Sequence, residues 1–456
     1  MIPIHKKGNT SDLSNYRPIS CLPAASKILE KVVLTQLEKF VEENDLLPKQ
    51  QHGFRANRST ETCLASMVAE WSKQYDEKRD TGILLWDLSS AFDTIDADIL
   101  CRKLQLYGLS ELSIGWFRSY LTNRCQQVQI GHAVSEPATV SIGCPQGALL
   151  SPLLFILYVA DLELWVKNVK IHGYADDFTT SFSSCNEKEV FDKLEADAEM
   201  VLRYMASNHL SANAKKTGFM VIRNSSKQHV AGVVKVGDAV IEEKESHSIL
   251  GLTVNNVLTW SDHVNGLLPA IRHRVGTLRR LAYYIPSSYL AQIASAIIGA
   301  KIRYGIGIYG AVRKNISEPV PDTNRELQVA LNNAMRIAAG VRLSDKVRIE
   351  DLFQRTGIQS VNRMSAQNKL MLAWQGLKVP GSPLYDFLSG DQNRSGLRSK
   401  ERGDICTSSK TSLGQRNFPE TAIRLWNQTP QEFRMAEKKN SAKSTCKRFI
   451  ENLPLL

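Results

Sequence analysis

The sequence predicts an α+β fold that is followed by an all-α, basic region. Up to about residue 260, short apolar segments typical of strands mix with helical patterns, without the strict β–α–β order of a parallel sheet. Beyond that residue the pattern becomes helical. The charge changes at the same point: residues 1–260 hold 27 Lys and Arg against 31 Asp and Glu, and residues 261–456 hold 30 against 15.

Length and composition limit the class of protein. At roughly 150 residues per domain, 456 residues predict about three domains. The 43% hydrophobic and 23% charged residues exclude a disordered or fibrous chain, and the net charge of +11 favours a polyanionic partner. No C-x-x-C pair, secretory signal or membrane-length apolar stretch is present. We therefore expect an intracellular protein, nuclear or cytoplasmic, that is not secreted and has no membrane partner.

In the first 150 residues, the spacing of the apolar side chains predicts the helices and strands. Residues 1–80 have the pattern of loops and helices, and residues 25–47 place their apolar side chains at helical intervals. Residues 82–86, Gly-Ile-Leu-Leu-Trp, form a short apolar run that favours a buried strand. The same criteria predict helices over 99–106 and 114–121 and strands over 126–130 and 138–142.

Later elements are predicted on the same grounds. Residues 149–164 indicate a buried helix with Pro152 in its first turn, where proline is tolerated. Residues 169–182 form two β-prone arms around the polar turn Ala175-Asp176-Asp177, which predicts a hairpin. Residues 187–210 have the strongest amphipathic pattern. Short strands are expected at 219–222, 233–236 and 250–254, and a mobile, polar, Ser- and Gly-rich linker at 389–415.

Three acids have an unusual position. Asp87 ends the apolar run at 82–86, and Asp176 and Asp177 lie at the turn of the predicted hairpin. Carboxylates at the ends of apolar strands repel one another and lose hydration, so they need a compensating partner. A pair of Mg²⁺ ions supplies one, because hard cations prefer carboxylate oxygens. A single aspartate at a strand end is more often an exposed turn residue.

Short motifs around these acids occur in a fixed order between residue 3 and about residue 260. In that order the chain resembles the reverse transcriptases of non-LTR (LINE-type) retrotransposons. The motifs are Pro3-Ile4-His5-Lys6-Lys7-Gly8, Asn15-Tyr16-Arg17-Pro18-Ile19-Ser20, Gln51-His52-Gly53-Phe54-Arg55, Asp87-Leu88-Ser89-Ser90-Ala91-Phe92-Asp93, Gly143-Cys144-Pro145-Gln146-Gly147, Tyr174-Ala175-Asp176-Asp177, Lys216-Thr217 after Asn213, and Leu250-Gly251 with Trp260 and His263.

The resemblance implies a right-hand polymerase with a ferredoxin-like palm. It places fingers at 1–80, the palm with interleaved fingers elements at 81–260, a helical thumb at 261–345 and a basic C-terminal region at 346–456. It also implies RNA-directed DNA polymerase activity, with two Mg²⁺ ions, or Mn²⁺ in their place, held by Asp87, Asp176 and Asp177. The expected partners are an RNA template, a DNA primer or target, and dNTP.

Further roles are carried over residue by residue. Phe92 matches the steric gate that excludes ribonucleotides, against the alternative of an ordinary core residue, and Gln146 matches a contact to the incoming nucleotide or template. Lys6, or Lys7 beside it, and Arg17 match the residues that hold the triphosphate. Arg55 either contacts the template backbone or supports the fingers. Lys216 matches a general acid that protonates pyrophosphate, against the alternative of a solvated lysine.

Two other functions stay open at this point. The motifs begin at residue 3, so we expect a fragment that lacks the endonuclease normally found upstream. Such a fragment is either an active polymerase or an impaired relic that only binds nucleic acid. A maturase-like RNA cofactor is the third candidate, because maturases share the polymerase core.

Overall fold

The computed structural model describes residues 1–6, 8–88, 91–213, 216–224, 231–311, 322–389, 404–406 and 409–453. The fold is α+β, as predicted, and the strands end before the basic helical region begins. The strands are β1 Ile2–His5, β2 Tyr16–Ile19, β3 Asp80–Trp86, β4 Arg124–Gln126, β5 Gln129–Ile130, β6 Ala133–Val134, β7 Ala138–Val140, β8 Lys170–Tyr174, β9 Asp177–Ser184, β10 Gly218–Ile222, β11 Val233–Val236, β12 Ala239–Glu242, β13 Ser246–Ile249 and β14 Leu252–Asn255.

Helices surround these strands and make up the last third of the chain. They are α1 Ala24–Glu43, α2 Thr60–Asp76, α3 Ala97–Leu106, α4 Glu111–Leu121, α5 Ser151–Tyr158, α6 Glu187–Ser207, α7 Ser261–Leu281, α8 Ser287–Ala294, α9 Ala300–Arg303, α10 Ile306–Tyr309, α11 Asp322–Ala338, α12 Ile349–Thr356, α13 Val361–Lys378, α14 Tyr385–Leu388, α15 Ser412–Arg416, α16 Glu420–Gln428, α17 Gln431–Arg434 and α18 Lys439–Glu451. Within the described residues, no helix is both long and apolar enough to cross a bilayer.

The central sheet is antiparallel, with strand order β10-β3-β9-β8. Strand β3 lies inside the sheet because its run Gly-Ile-Leu-Leu-Trp can be buried on both faces. The Trp86 indole also donates to the Thr180 hydroxyl of β9 at 3.0 Å. This buried position fixes the end of β3 and therefore the position of Asp87, which follows it.

Alternate residues of the sheet face two different cores, as the period of a strand requires. Leu84 and Trp86 face the side of α6, where the missing side chain of Gly82 gives room to Leu194. Ile83 faces the opposite side and packs in the same core as α2, most of whose residues are buried.

The helical region shares one continuous core with α2. Buried side chains of α7, α10, α11, α13 and α16 belong to that core, and α13 contacts helices on both sides of residue 345. The predicted boundary after residue 345 therefore does not coincide with a break in the hydrophobic core. The predicted fingers segment 1–80 likewise contributes α2 to the core beneath the sheet.

The linker predicted at 389–415 differs from the structure at its C-terminal end. Residues 390–403, 407 and 408 lie outside the described residues. The Ser409 hydroxyl donates to Asp76 at 2.6 Å, the Thr411 amide donates to the same carboxylate at 3.2 Å, and α15 begins at Ser412. Polar composition alone predicted mobility, but here the hydroxyl and amide groups satisfy a carboxylate at the end of α2.

Candidate active site

The hairpin formed by β8 and β9 carries two of the acids. The sequence predicted the turn at Ala175-Asp176-Asp177; in the structure Tyr174 pairs with Asp177, so the turn consists of Ala175 and Asp176, and Asp177 is the first residue of β9. Ala175 has φ of +60°, a left-handed conformation that is unfavourable for any residue with a Cβ. The turn is therefore held by its surroundings and not by local preference.

Asp87 reaches the same place from the neighbouring strand. Trp86 pairs with Phe178 across β3 and β9, Asp87 directly follows Trp86, and Asp177 directly precedes Phe178, so the two acids lie at the same end of the paired strands. The electrostatics agree with this proximity: burial first, and then the charges of Asp176 and Asp87, raise the pKa of Asp177 to about 6. Burial also raises the pKa of Asp176, and Asp87 adds to that rise. The structure thus brings together the three acids that the sequence singled out.

Lys216 forms an ion pair with one of these acids. Its Nζ lies 3.2 Å from Oδ2 of Asp87, and both side chains are partly exposed. The backbone supports this placement, because the Asn213 amide donates to the Asp87 carbonyl at 2.8 Å. In the metal-free chain, Lys216 offsets part of the negative charge that the carboxylates concentrate.

The three acids fit divalent cations by charge and by donor type. Burial, and then the charges of neighbouring acids, raise the pKa values of Asp176 and Asp177, so a cation bound there would stabilise their charged forms. Across the described ranges, no set of three His, Cys, Asp or Glu side chains surrounds a single point closely enough to hold an ion alone. Magnesium is usually held by one or two carboxylates together with phosphate and water oxygens. The site therefore fits ions whose remaining ligands come from a substrate.

A second group of residues lies on the loops after β3 and before α5. The side-chain amide of Gln146 donates to both carboxylate oxygens of Asp93, at 2.8 and 2.9 Å. The Cys144 amide donates to the Phe92 carbonyl at 2.8 Å, and the Phe92 ring packs on Phe155 with centroids 4.9 Å apart. Gly143 has φ of +82°, and a Cβ there would lie 2.7 Å from the Asp93 carbonyl oxygen. The glycine is required where these two loops meet.

Asp93 is a further residue of this site, and its motif alone does not indicate a role for it. Burial raises its pKa, whereas the Gln146 hydrogen bonds and the charge of Lys6 lower it. Nothing in the local sequence pairs Asp93 with Gln146, because the two residues are 53 positions apart and meet only through the fold.

The hairpin of β1 and β2 brings two basic residues towards the acids. Arg17 lowers the pKa of Asp176, and Lys6 lowers that of Asp93, so each cation lies within electrostatic reach of the site. The hairpin is tied to the Gln146 loop, because the Ser20 amide donates to the Gln146 carbonyl at 2.7 Å. Lys7, the alternative to Lys6, lies outside the described residues.

Arg55 lies in a different environment. Its guanidinium donates to the Pro48 carbonyl at 2.9 Å and pairs with Glu42 at 3.2 Å, and its side chain is only 7% exposed. Of the two alternatives for this residue, the contacts favour support of the surrounding loop over contact with a template.

The carboxylate group gives the metal-free protein a specific pH dependence. The pKa of Asp177 in the folded state, about 6, exceeds its ordinary value of 3.8, so the folded state binds this proton more tightly than the unfolded state does. The stabilisation of the folded state by this proton is complete below pH 3.8 and is lost as the pH rises through 6. We expect Asp177→Asn to raise the melting temperature of metal-free protein at pH 7.5 more than at pH 4.5.

Thermal denaturation in a chelating buffer measures this difference. Asp238→Asn is the matched control, because Asp238 is exposed in the turn between β11 and β12, away from the acids. An equal effect of Asp177→Asn at both pH values would show that the charged form of Asp177 does not destabilise the folded state.

Comparison with known proteins places this site in a family. A family model described as reverse transcriptase (RNA-dependent DNA polymerase) matches residues 4–254. The chain is 27% identical over 317 residues to the probable RNA-directed DNA polymerase from transposon X-element of Drosophila melanogaster, covering 67% of this chain and 34% of that protein. It is 26% identical over 351 residues to the probable polymerase from transposon BS of the same species, covering 74% and 37%.

A third relative is the RNA-directed DNA polymerase from mobile element jockey of Drosophila melanogaster, 26% identical over 329 residues, with 69% of this chain and 35% of that protein covered. The chain thus spans about a third of the length of these relatives. A solved telomerase from Candida tropicalis with a fragment of telomeric RNA aligns at a TM-score of 0.40 and 11% identity, over 89% of this chain and 56% of that one, which is too weak to bear on the assignment. Because the family model covers more than half of the chain and spans all three acids, the protein belongs to the reverse transcriptase family.

Proposed function

We propose that this chain is the RNA-directed DNA polymerase of a non-LTR retrotransposon. It would transfer a nucleotide from dNTP to the 3′-hydroxyl of a primer paired with an RNA template. The observation that carries the proposal is the meeting of Asp87, Asp176 and Asp177 at one edge of the sheet in a reverse transcriptase. The relatives named as RNA-directed DNA polymerases support the same activity.

Asp87, Asp176 and Asp177 are the residues that would hold two Mg²⁺ ions, or Mn²⁺ in their place. When bound, such ions activate the attacking oxygen and stabilise the leaving oxygen in phosphoryl transfer. The chain itself supplies the negative charge that attracts them and the fixed register that places the carboxylates at one end of the paired strands.

Other residues would bind and select the nucleotide. Arg17 lies within electrostatic reach of Asp176 and Lys6 within reach of Asp93, and both would bind the triphosphate. Phe92, supported from below by Phe155, would close the space beside the 2′-carbon of the sugar. Gln146, oriented by Asp93, would contact the nucleotide or the template. Lys216 would donate a proton to pyrophosphate, because its ammonium group is already beside Asp87.

The division into fingers, palm and thumb is part of the proposal. The four-stranded sheet would form the palm, and the β1–β2 hairpin with the loops near Gln146 would form the fingers surface. The helices after residue 260 carry the basic excess and would hold an RNA–DNA duplex through its phosphates, with an affinity that falls as salt rises.

Primer extension tests the proposal. Purified chain should add dNTP to a DNA primer on an RNA template when Mg²⁺ is present, and EDTA should stop the reaction. Salt-sensitive binding of the same template and primer without any product would instead support the nucleic-acid-binding relic. Stimulated splicing of an intron RNA without extension would support the maturase-like alternative.

We expect Lys216→Ala to lower the rate of extension by about 10- to 100-fold, the usual contribution of a general acid. Lys216→Arg should recover less than half of the lost rate, because a guanidinium hardly gives up its proton at neutral pH. Single-turnover extension measures both. Lys235→Ala, at an exposed position on β11, is the control. A rate unchanged in Lys216→Ala would leave Lys216 as a solvated lysine.

A further inference from the structure

A short segment before α2 is joined to the hairpin that carries Asp176 and Asp177. The His52 amide donates to the Gly173 carbonyl at 2.8 Å, and the Gly173 amide donates to the Gln50 carbonyl at 3.0 Å. These bonds form a parallel bridge between Gln51 and Gly173, at the end of β8. The segment therefore lies beside the strand whose turn holds the acids.

The Gln51 side chain continues this connection into the turn itself. Its Oε1 accepts hydrogen bonds from the Gly53 amide at 2.8 Å and from the Ala175 amide at 3.2 Å. Two N–H donors directed at one atom identify that atom as the amide oxygen. Gln51 is 8% exposed, and the bonds are therefore largely protected from water.

The Ala175 amide needs this acceptor. Ala175 is the first residue of the two-residue turn, so its N–H makes no ladder bond across the hairpin, and the residue is 8% exposed. A buried N–H without a partner is costly, and the left-handed φ of Ala175 adds to the cost of this turn. The Gln51 oxygen therefore stabilises a conformation that the turn sequence does not favour by itself.

Two glycines make the close approach feasible. A Cβ on Gly53 would overlap the Ala175 amide nitrogen, and a Cβ on Gly173 would lie 2.9 Å from Nε2 of Gln51. On the other side, the His52 ring is hydrogen-bonded to the Thr62 hydroxyl of α2 at 2.9 Å. The segment is thus held between α2 and the turn by hydrogen bonds on both sides.

We infer that Gln51 is a positioning residue for catalysis: its side-chain oxygen holds the Ala175 turn so that Asp176 and Asp177 stay at the same end of the strands as Asp87. The inference rests on the proposed function, because it assigns to Gln51 the placement of the acids used there. Gln51 touches neither substrate nor metal in this account and acts only through the Ala175 amide.

Replacement of Gln51 by methionine tests the inference. Gln51→Met keeps the length of the side chain and removes the amide oxygen, so we expect kcat for extension to fall about 10- to 100-fold. The KM for dNTP should change less than about threefold, because the triphosphate is held elsewhere. Gln51→Glu keeps an acceptor for both amides but adds a negative charge beside the acids, so it should recover only part of the loss. Should Gln51→Met not fold, Gln51→Asn, whose amide is too short to reach Ala175, carries the same expectation.

Gln50→Met is the matched control. Gln50 is the adjacent glutamine, but its side chain accepts from the Ser66 hydroxyl at 3.1 Å and does not contact the turn. It should keep kcat within about twofold of the unsubstituted chain. A second check is Ala175→Gly in the Gln51→Met background, since glycine adopts the left-handed turn without strain and should restore part of kcat.

A metal readout separates this inference from the proposed function. We expect the Mg²⁺ concentration that gives half of the Mg²⁺-induced rise in melting temperature to increase about tenfold in Gln51→Met. This readout applies even if the unsubstituted chain extends no primer, which would overturn the proposed function alone. An unchanged Mg²⁺ midpoint and kcat in Gln51→Met, or equal losses in Gln50→Met and Gln51→Met, would overturn the role of Gln51.

Discussion

Replacing any one of Asp87, Asp176 or Asp177 by asparagine is expected to lower the rate of primer extension by at least about 1,000-fold, since several kcal/mol of transition-state stabilisation is lost with the ions. The change keeps the shape of the side chain and removes only its charge. The expectation follows from the register that places Asp87 and Asp177 at the same end of the paired strands and from the raised pKa of Asp177. Single-turnover extension on an RNA template measures the loss.

The control is again Asp238→Asn, which removes an exposed acid outside the site and should leave the rate unchanged. Each asparagine variant should also keep the far-UV circular dichroism of the original chain, because the substitution relieves repulsion. Extension that persists in Asp87→Asn at more than a tenth of the original rate would remove Asp87 from the metal site.

Replacing Phe92 by valine is expected to have the second largest effect, a loss of selection against ribonucleotides on the order of 100-fold. The Phe92 ring is supported by Phe155 and cannot retreat when a 2′-hydroxyl approaches, because Phe155 is fully buried. A smaller side chain removes the clash. The measurement is the ratio of kcat/KM for dCTP to that for CTP on one template and primer.

Phe92→Tyr is the matched variant for this test. It keeps the ring and should keep the selection within a few-fold. If Phe92→Val and Phe92→Tyr select equally well, the residue is an ordinary core phenylalanine and another group excludes ribonucleotides.

The positions of the three acids along the chain were predictable because strong local patterns surround each of them. Asp87 directly follows the apolar run of β3, and the two arms of the hairpin leave Asp176 and Asp177 at the turn. Because β3 is buried on both faces, it lies inside the sheet, and Asp87 at its end then lies at the same edge of the sheet as the hairpin turn. Only the pairing of β3 with β9 could not be predicted from these local patterns.

Contacts between distant segments were not predictable from local patterns. Gln51 meets Ala175 across 124 positions, and Gln146 meets Asp93 across 53. No periodicity marks a side chain whose only task is to accept a hydrogen bond from a remote amide. The strands β1 and β2 were missed for a related reason, because each contains a proline, which is typical of loops or edge strands.

Longer-range packing also crosses the predicted segment boundaries. Helix α2 lies near the N-terminus, yet its buried face packs in one core with helices from the last third of the chain. The Asp76 carboxylate at the end of α2 accepts from Ser409, which orders a segment whose composition predicted a linker. Both contacts join segments that are far apart in the sequence, so composition alone cannot predict them.

In the proposed mechanism, Asp87, Asp176 and Asp177 jointly hold paired divalent ions. The most direct measurement is a crystal structure of the chain with Mn²⁺, an RNA–DNA template and primer, and a non-hydrolysable dNTP, with anomalous scattering used to locate manganese. We expect two anomalous peaks about 3.5–4 Å apart, with Asp87 and the Asp176–Asp177 turn both contributing oxygens. Manganese bound elsewhere, or at the turn without Asp87, would contradict the account.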